Sequence, residues 1–276
     1  MSIREDIIVQ HVLEQRNQLP RLGTRKLLYK IAPMLKTHGI EVGRDYLFDL
    51  LDRHRLLIRQ RKRKAITTDS RHWMHKYENL IGGLNCMRPE QVWVSDITYI
   101  RMALGQWAYL SLITDAYSRK IMGYSLRTDM SAQGCQDALQ MAITNRRYPK
   151  ASLIHHSDRG SQYCSSAYVN MLRENEILIS MTQNGDPYEN ALAERMNGII
   201  KAEFNLYSTQ YGYDHTHQLV KDSIKAYNEL RPHSSCDYLT PEQAHQLQGP
   251  LKKRWKSYPK NQINNNSILT FENSPV

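Results

Sequence analysis

Three segments rich in β-branched and aromatic residues, separated by short turns, limit most strongly what this chain can fold into. They are QVWVSDITYI from residue 91, WAYLSLIT from residue 107 and RKIMGYSLR from residue 119. This composition is typical of β-strands, and the short connections favour antiparallel pairing. Two further strands are predicted at 152–157 and 177–182, after helical segments. The order predicts an α/β domain with a five-stranded mixed sheet.

Helical periodicity accounts for the other segments of this part. Apolar spacing and end signals predict helices over 131–146, 165–175, 191–207 and 215–230. The last of them ends where Arg231 precedes Pro232, because proline cannot continue a helix. We therefore expect one domain over 89–247, followed by a basic polar tail over 248–276.

The first 64 residues show only helical periodicity. Glycine and proline interrupt it and leave three amphipathic helices, the last of which leads into a basic run. Such a unit resembles a helix-turn-helix DNA-binding domain, although small helical bundles without any nucleic-acid role share the pattern. Residues 65–88 are predicted to be a linker. The basic residues expected to contact DNA are Arg25, Lys26, Arg44, Arg53, Arg55, Arg59, Arg61, Lys62, Arg63 and Lys64.

Positive charge is concentrated at the two ends of the chain. The formal net charge is +10; residues 1–64 hold 15 Lys and Arg against 7 Asp and Glu, and residues 251–276 hold 5 against 1. The centre is slightly acidic by difference. This distribution predicts ends that hold a polyanion and a centre with another task, while a solvated charged face is the alternative for any single run.

The sequence also excludes several classes of protein. No apolar stretch approaches the roughly 18 residues that a membrane helix requires, so we expect no membrane span. Charged residues at positions 4 to 6 interrupt any secretory leader, which favours the cytoplasm. The four cysteines form no CxxC pair, which disfavours a disulfide framework. His72, His75 and Cys86 have the wrong spacing for a zinc module.

One aspartate lies in the middle of an otherwise apolar predicted strand. Asp96 would be costly there unless it is paired, hydrogen-bonded or bound to metal. Asp158 follows another apolar strand, and Glu194 lies in the first turns of the helix predicted from residue 191. There are 61 residues between the two aspartates and 35 between Asp158 and Glu194. Three such carboxylates can hold two Mg²⁺ ions about 3.5 to 4 Å apart for in-line phosphoryl displacement.

Several separate motifs point to one family. WVSDITYI, HSDRGSQY and NALAERMNGIIKAE carry the three carboxylates, YNELRPHSSCDYLTPEQA follows them, and LGTRKLLYKI with VGRDYLFDLLDRHRLL precedes them. Together they resemble the integrase-like DDE transposases of bacterial insertion sequences, in particular OrfB of the two-frame insertion-sequence group three. The resemblance runs from about Leu22 to Ala244. It implies a ribonuclease-H-like catalytic core of the retroviral integrase type over 89–247, behind an all-helical helix-turn-helix domain over 1–64.

The resemblance implies a role for each residue. Asp96, Asp158 and Glu194 would be catalytic and would hold two Mg²⁺ ions, for which Mn²⁺ could substitute. Lys201 follows Glu194 by almost two helical turns, so it lies on the same helix face and would contact DNA near the metals; an exposed helix charge is the alternative. The implied partners are double-stranded DNA at element ends and target, further copies of the chain, and an upstream OrfA product or fusion.

Other polar residues near these motifs have simpler interpretations. Glu189 is expected to cap a helix, because the spacing favours Glu194 as the third carboxylate. Asp115, in the turn TDAYS, is expected to be a cap or a solvated group. At least one of His155 and His156 is expected to pack against the sheet. The residues expected to shape the substrate loop are Ser157, Gly160, Ser161 and Gln162.

These features predict a transposase that uses water to cleave a strand at an element end, then uses the 3′-hydroxyl to attack target DNA. It would bind terminal inverted repeats and act at the nucleoid in the cytoplasm. Another ribonuclease-H-like nuclease, such as a resolvase or an RNA:DNA hybrid nuclease, would not explain the N-terminal unit. A catalytically silent DNA-binding regulator derived from a transposase is the second alternative, and it would bind DNA without giving any product.

Overall fold

The computed structural model describes residues 2–59, 73–183 and 190–254. Its strands are β1 (Val92–Arg101), β2 (Trp107–Asp115), β3 (Ile121–Arg127), β4 (Ile154–Ser157) and β5 (Leu178–Met181). Its helices are α1 (Ile3–Gln18), α2 (Thr24–Thr37), α3 (Arg44–Arg53), α4 (Ala132–Thr144), α5 (Ser161–Cys164), α6 (Ser166–Glu174), α7 (Ala191–Glu203), α8 (Tyr213–Leu230) and α9 (Pro241–Ala244).

The five strands form one mixed sheet in the order β3-β2-β1-β4-β5. Strands β1, β2 and β3 pair antiparallel, as their short connections require, whereas β4 and β5 run parallel to β1 after helical crossovers. The predicted fold class is confirmed: a ribonuclease-H-like α/β core follows an all-helical N-terminal unit. Strand β1 lies in the centre of the sheet, so a residue on it is within reach of both neighbouring strands.

Helices cover both faces of the sheet. Neighbouring residues of β2 show this, because Leu112 belongs to the apolar cluster that includes α7 and α8, whereas Ile113 belongs to the cluster that includes α4. Helix α4 approaches β3 most closely at Gly123. A Cβ atom there would lie 2.0 Å from the Ala138 carbonyl oxygen, so only glycine fits. Among the helices that the structure describes, none has the length and apolarity that crossing a bilayer requires.

The N-terminal helices pack directly on the core. The Arg21 backbone N–H donates to the Glu203 carbonyl at 3.0 Å, and Lys30 Nζ donates to the Leu230 carbonyl at 3.1 Å. The apolar cluster of α1, α2 and α3 continues into α7, α8 and the sheet. The helical unit is therefore held against the two helices that follow β5.

Helix α7 is shorter than the sequence predicted. It was expected to continue to about Tyr207, but it ends at Glu203 because Asn205 adopts a left-handed backbone (φ 58°). The Leu206 N–H then donates to the Lys201 carbonyl at 2.9 Å, which closes the helix end. The chain turns at this point and leads Tyr207 back toward the end of β1.

Candidate active site

Asp96 lies at the middle of β1 and is half-buried. Its Oδ1 accepts the backbone N–H of Ile97 at 2.8 Å, and its Oδ2 accepts the Asn197 amide N–H at 2.9 Å. Both bonds favour the ionised carboxylate and fix its orientation. The side chain is therefore held in place by its own strand and by α7.

Asp158 directly follows β4, the parallel neighbour of β1. Because Val94 pairs with His156, the register continued by two residues brings Asp96 and Asp158 to the same level of the sheet. Asp158 Oδ1 accepts the Gly160 N–H at 3.0 Å. A Cβ atom on Gly160 would lie 3.0 Å from that same oxygen, so glycine lets the loop fold tightly around the carboxylate.

Helix α7 supplies the third carboxylate and a cation from one face. Glu194 lies exposed in its first turn, Asn197 lies one turn later, and Lys201 one turn after that. Lys201 Nζ donates to the Tyr99 carbonyl of β1 at 3.1 Å and lies 5.3 Å from the centre of the Tyr207 ring. This face of α7 therefore lies along the half of β1 that follows Asp96.

Burial and the charges of two other carboxylates act on Asp96. Burial, and then the charge of Asp158, raise the pKa of Asp96 from 3.8 to about 7; the charge of Glu194 raises it further, against the two hydrogen bonds that lower it. Mutually repelling hard oxygen donors of this kind fit a divalent cation. Within residues 2–59, 73–183 and 190–254, no three His, Cys, Asp or Glu side chains already stand close enough together to hold one.

Comparison with known proteins points to an integrase core domain and to proteins of bacterial insertion sequences. Two sequence profiles, each described as an integrase core domain, match residues 87–187 and 175–241. The insertion element IS600 uncharacterized 31 kDa protein of Shigella sonnei is 35% identical over 231 residues, which cover 82% of this chain and 83% of that protein. Transposase InsF for insertion sequence IS3A of Escherichia coli strain K12 is 38% identical over 156 residues. The chain belongs to the integrase-like transposases of bacterial insertion sequences.

The comparisons differ in how much of each protein they cover. The match to InsF includes 56% of this chain and 54% of InsF, so nearly half of that transposase lies outside it. A chain of the simian T-cell lymphotropic virus intasome in complex with PP2A regulatory subunit B56 gamma covers 86% of this chain and 75% of its own length, with TM-score 0.51 and 17% identity. At that identity the likeness shows the fold alone.

The predicted DNA contacts of the N-terminal unit are not all alike. Lys26 is largely enclosed and donates to Glu203 at 3.2 Å, and burial lowers its pKa to about 8. Arg53 pairs with Glu5 at 2.8 Å at the surface. The remaining predicted contacts that the structure describes are exposed: Arg25, Arg44, Arg55 and Arg59. Four others lie outside the described residues: Arg61, Lys62, Arg63 and Lys64.

Asn197 is the site residue that sequence reasoning missed. It belongs to the quoted motif NALAERMNGIIKAE, but an asparagine on a polar helix gives no sign that it faces a carboxylate. Its position one turn after Glu194 was the available signal. Asn190 was missed as well; its buried side-chain amide donates to the Ser95 carbonyl at 3.0 Å and ties the start of α7 to β1.

The neighbouring polar residues are mostly structural. His155 and His156 are both buried; His155 Nε2 lies 2.7 Å from Ser95 Oγ, and burial lowers its pKa to about 3. Asp115 is fully buried and is not solvated: it caps its turn by accepting the backbone N–H and the hydroxyl of Ser118 at 2.7 and 2.8 Å. Glu189 lies outside the described residues. Of the predicted substrate loop, Ser161 and Gln162 begin α5.

Proposed function

We propose that the chain binds the terminal inverted repeats of an insertion sequence and catalyses Mg²⁺-dependent DNA strand cleavage and strand transfer. The observation that carries the proposal is the position of Asp96. It lies on the central strand, level with Asp158 and within the field of Glu194, and its pKa is raised to about 7. Repelling carboxylates brought together on a sheet are more typical of a functional site than of a stabilising one.

Each residue of the site would have its own task. Asp96, Asp158 and Glu194 would hold the Mg²⁺ ions. Bound Mg²⁺ would activate the attacking oxygen and stabilise the leaving oxygen. Lys201 would hold a phosphate of the DNA beside the metals, and Asn197 would keep Asp96 oriented through the 2.9 Å bond to its Oδ2.

The partners follow from the same proposal. The substrate would be double-stranded DNA at two element ends and at a target, in the bacterial cytoplasm. Two ends require two active sites, so the active complex would hold more than one copy of the chain. An upstream OrfA product, separate or fused, would be a further partner in that complex.

Strand cleavage and joining on labelled DNA that carries the flanking repeats tests the proposal. We expect Mg²⁺-dependent products with the wild type and their loss with Glu194→Gln. The matched control is Glu174→Gln, which neutralises an exposed carboxylate at the end of α6. Wild-type binding without product, also with the upstream frame supplied, would favour the silent DNA-binding regulator. Cleavage of an RNA:DNA hybrid instead would favour the ribonuclease.

A further inference from the structure

A cleft lies beside the acidic site, between the N-terminal helical unit and α7. It encloses about 590 Å³, within the range of roughly 300 to 1,000 Å³ that is typical of ligand sites. Arg21 and Arg59 line it from the N-terminal side, and Arg195 and Tyr207 line it from the core. No residue proposed above as a metal ligand contributes to this lining.

The cleft and the acidic site use neighbouring faces of one helix. Arg195 and Ala202 line the cleft and are seven residues apart on α7. Glu194 and Lys201 are also seven residues apart and belong to the face that lies along β1. One residue corresponds to about 100° around a helix, so the two faces adjoin along the length of α7. A strand with a phosphate at Asp96 could pass directly from one face to the other.

Positive charge in the cleft is not balanced by its own acidic residue. Glu203 also lines the cleft, but its two carboxylate oxygens are held by Arg231 at 2.6 and 2.7 Å and by Lys26 at 3.2 Å. Among the described residues that line the cleft, no other carboxylate is present to neutralise the three arginines. Within the described part of the chain, the carboxylate that pairs with Arg59 is that of Asp52, at 3.4 Å, and the pair is exposed and therefore weak.

A second observation, at a residue outside the lining of the cleft, also points to an anion nearby. Arg16 lies near Arg21, whose positive charge adds to burial in lowering the pKa of Arg16. The Nε and Nη2 atoms of Arg16 are buried and have no hydrogen-bond partner within the described part of the chain. Unmet guanidinium donors beside a second cation are suited to phosphate oxygens.

We propose that this cleft binds the sugar-phosphate backbone of the DNA strand that leaves the acidic site. Arg21, Arg59 and Arg195 contact its phosphates, and the ring of Tyr207 packs against a sugar or base. The inference rests on the proposed function in one respect, namely that DNA is the substrate. It assigns to the N-terminal unit a contact with DNA next to the reacting phosphate, separate from recognition of the repeat.

The test is the salt dependence of DNA binding by the full chain in EDTA, where no cleavage takes place. The probe is a fluorescein-labelled duplex of mixed sequence, because phosphate contacts do not depend on sequence. Arg195→Ala should weaken binding by about 3- to 10-fold and reduce the slope of log K against log salt by about one. Arg195→Lys should preserve the slope, and Tyr207→Leu should weaken binding without changing it.

The matched control is Arg147→Ala. Arg147 is exposed and its backbone N–H donates to Glu90, just before the start of β1, whereas Tyr207 of the cleft bonds to Arg101 at the other end of that strand. The control variant should bind as the wild type does. Equal affinities and slopes for Arg195→Ala and Arg147→Ala would overturn the cleft proposal, even if the wild type cleaves DNA. A reduced slope together with absent cleavage would support the cleft and count against the proposed chemistry. Arg195 is exposed, so its substitution should leave the fold intact.

Discussion

At Asp96, two local hydrogen bonds work against burial and two neighbouring negative charges. The bonds from Ile97 and Asn197 favour the carboxylate, but burial and the charges of Asp158 and Glu194 outweigh them and raise its pKa to about 7. Without a cation, the folded protein therefore binds a proton at this residue that the unfolded chain releases near its ordinary pKa. The site is destabilising in itself.

Stability against pH tests this balance. In metal-free buffer the folded state holds the Asp96 proton between 3.8 and about 7, so wild-type stability should fall as the pH rises through that range. Near pH 8, Asp96→Asn should be more stable by on the order of 2 to 4 kcal/mol, and near pH 4 the difference should vanish. Urea unfolding measures both. A wild type as stable as the variant at the higher pH would contradict the account.

The role of Asn197 is tested by removing its amide. Asn197→Ala leaves Asp96 Oδ2 without its donor, so we expect cleavage to slow by about 10- to 100-fold and to need more Mg²⁺. A Mg²⁺ titration of the cleavage rate separates this from simple damage to the fold, which would lower the rate at every concentration. An unchanged Mg²⁺ requirement would show that Asn197 does not position Asp96.

The sequence predicted some of these residues and missed others for a physical reason. Asp96 was visible because a charge in an apolar strand needs an explanation, and Asp158 and Glu194 followed from their elements and spacing. Asn197 and Asn190 were not visible, because asparagine on a helix is ordinarily solvated. Lys26 was expected at the DNA surface, but its ion pair with Glu203 depends on a residue far along the chain.

At the scale of elements, α7 is fixed at both ends. Asn190 binds the start of the helix to β1. Glu203, the last residue of the helix, pairs with Arg231 at the end of α8. Arg231 is buried, and its guanidinium makes two bonds to Glu203, whereas Lys26 makes one. The position of Glu194 over the sheet thus depends on the ion pair of Glu203 and Arg231, at the other end of α7.

Two matched variants separate these contacts. Arg231→Met leaves Glu203 enclosed with a single cation, so we expect a loss of about 3 to 5 kcal/mol in the free energy of unfolding. Lys26→Met leaves the two bonds from Arg231 in place, so its cost should stay below about 1 kcal/mol. Denaturant midpoints of both variants check the order. Equal costs would mean that Arg231 is not the main anchor of α7.

The β-branched and aromatic composition of the segments was enough to predict the strands, but the ends of the elements and the contacts between them could not be predicted. The five predicted strands were confirmed, because β-branched runs bounded by turn residues rarely adopt any structure other than a strand. The predicted end of α7 was wrong, because the spacing of apolar residues does not reveal that Asn205 adopts a left-handed backbone conformation. The close approach of α4 at Gly123 depends on tertiary packing, which a glycine in a strand does not reveal.

On the scale of the whole molecule, the N-terminal unit and the core share one apolar cluster. Its members include Leu27 of α2, Ile200 of α7 and Tyr227 of α8. Since the same interface forms the arginine-lined cleft, the N-terminal unit and α7 should move together. The arrangement favours one cooperative body over two domains on a free linker.

Two spectroscopic probes test this cooperativity. All four tryptophans follow residue 72, and Trp93 on β1 is fully buried, so a change in fluorescence reports unfolding of the core, whereas helical circular dichroism also includes α1 to α3. We expect the two denaturant transitions to coincide. An earlier loss of circular dichroism, with the fluorescence unchanged, would show that the N-terminal unit unfolds by itself.

The central claim is that Asp96, Asp158 and Glu194 together bind a divalent cation when DNA is bound. Mn²⁺ binding, followed by the electron paramagnetic resonance signal of the free ion, tests it without relying on turnover. With duplex DNA present, the wild type and Glu174→Gln should take up Mn²⁺, and Asp96→Asn should lose most of that uptake. Equal uptake by all three proteins would contradict the account, because the cation would then be held elsewhere.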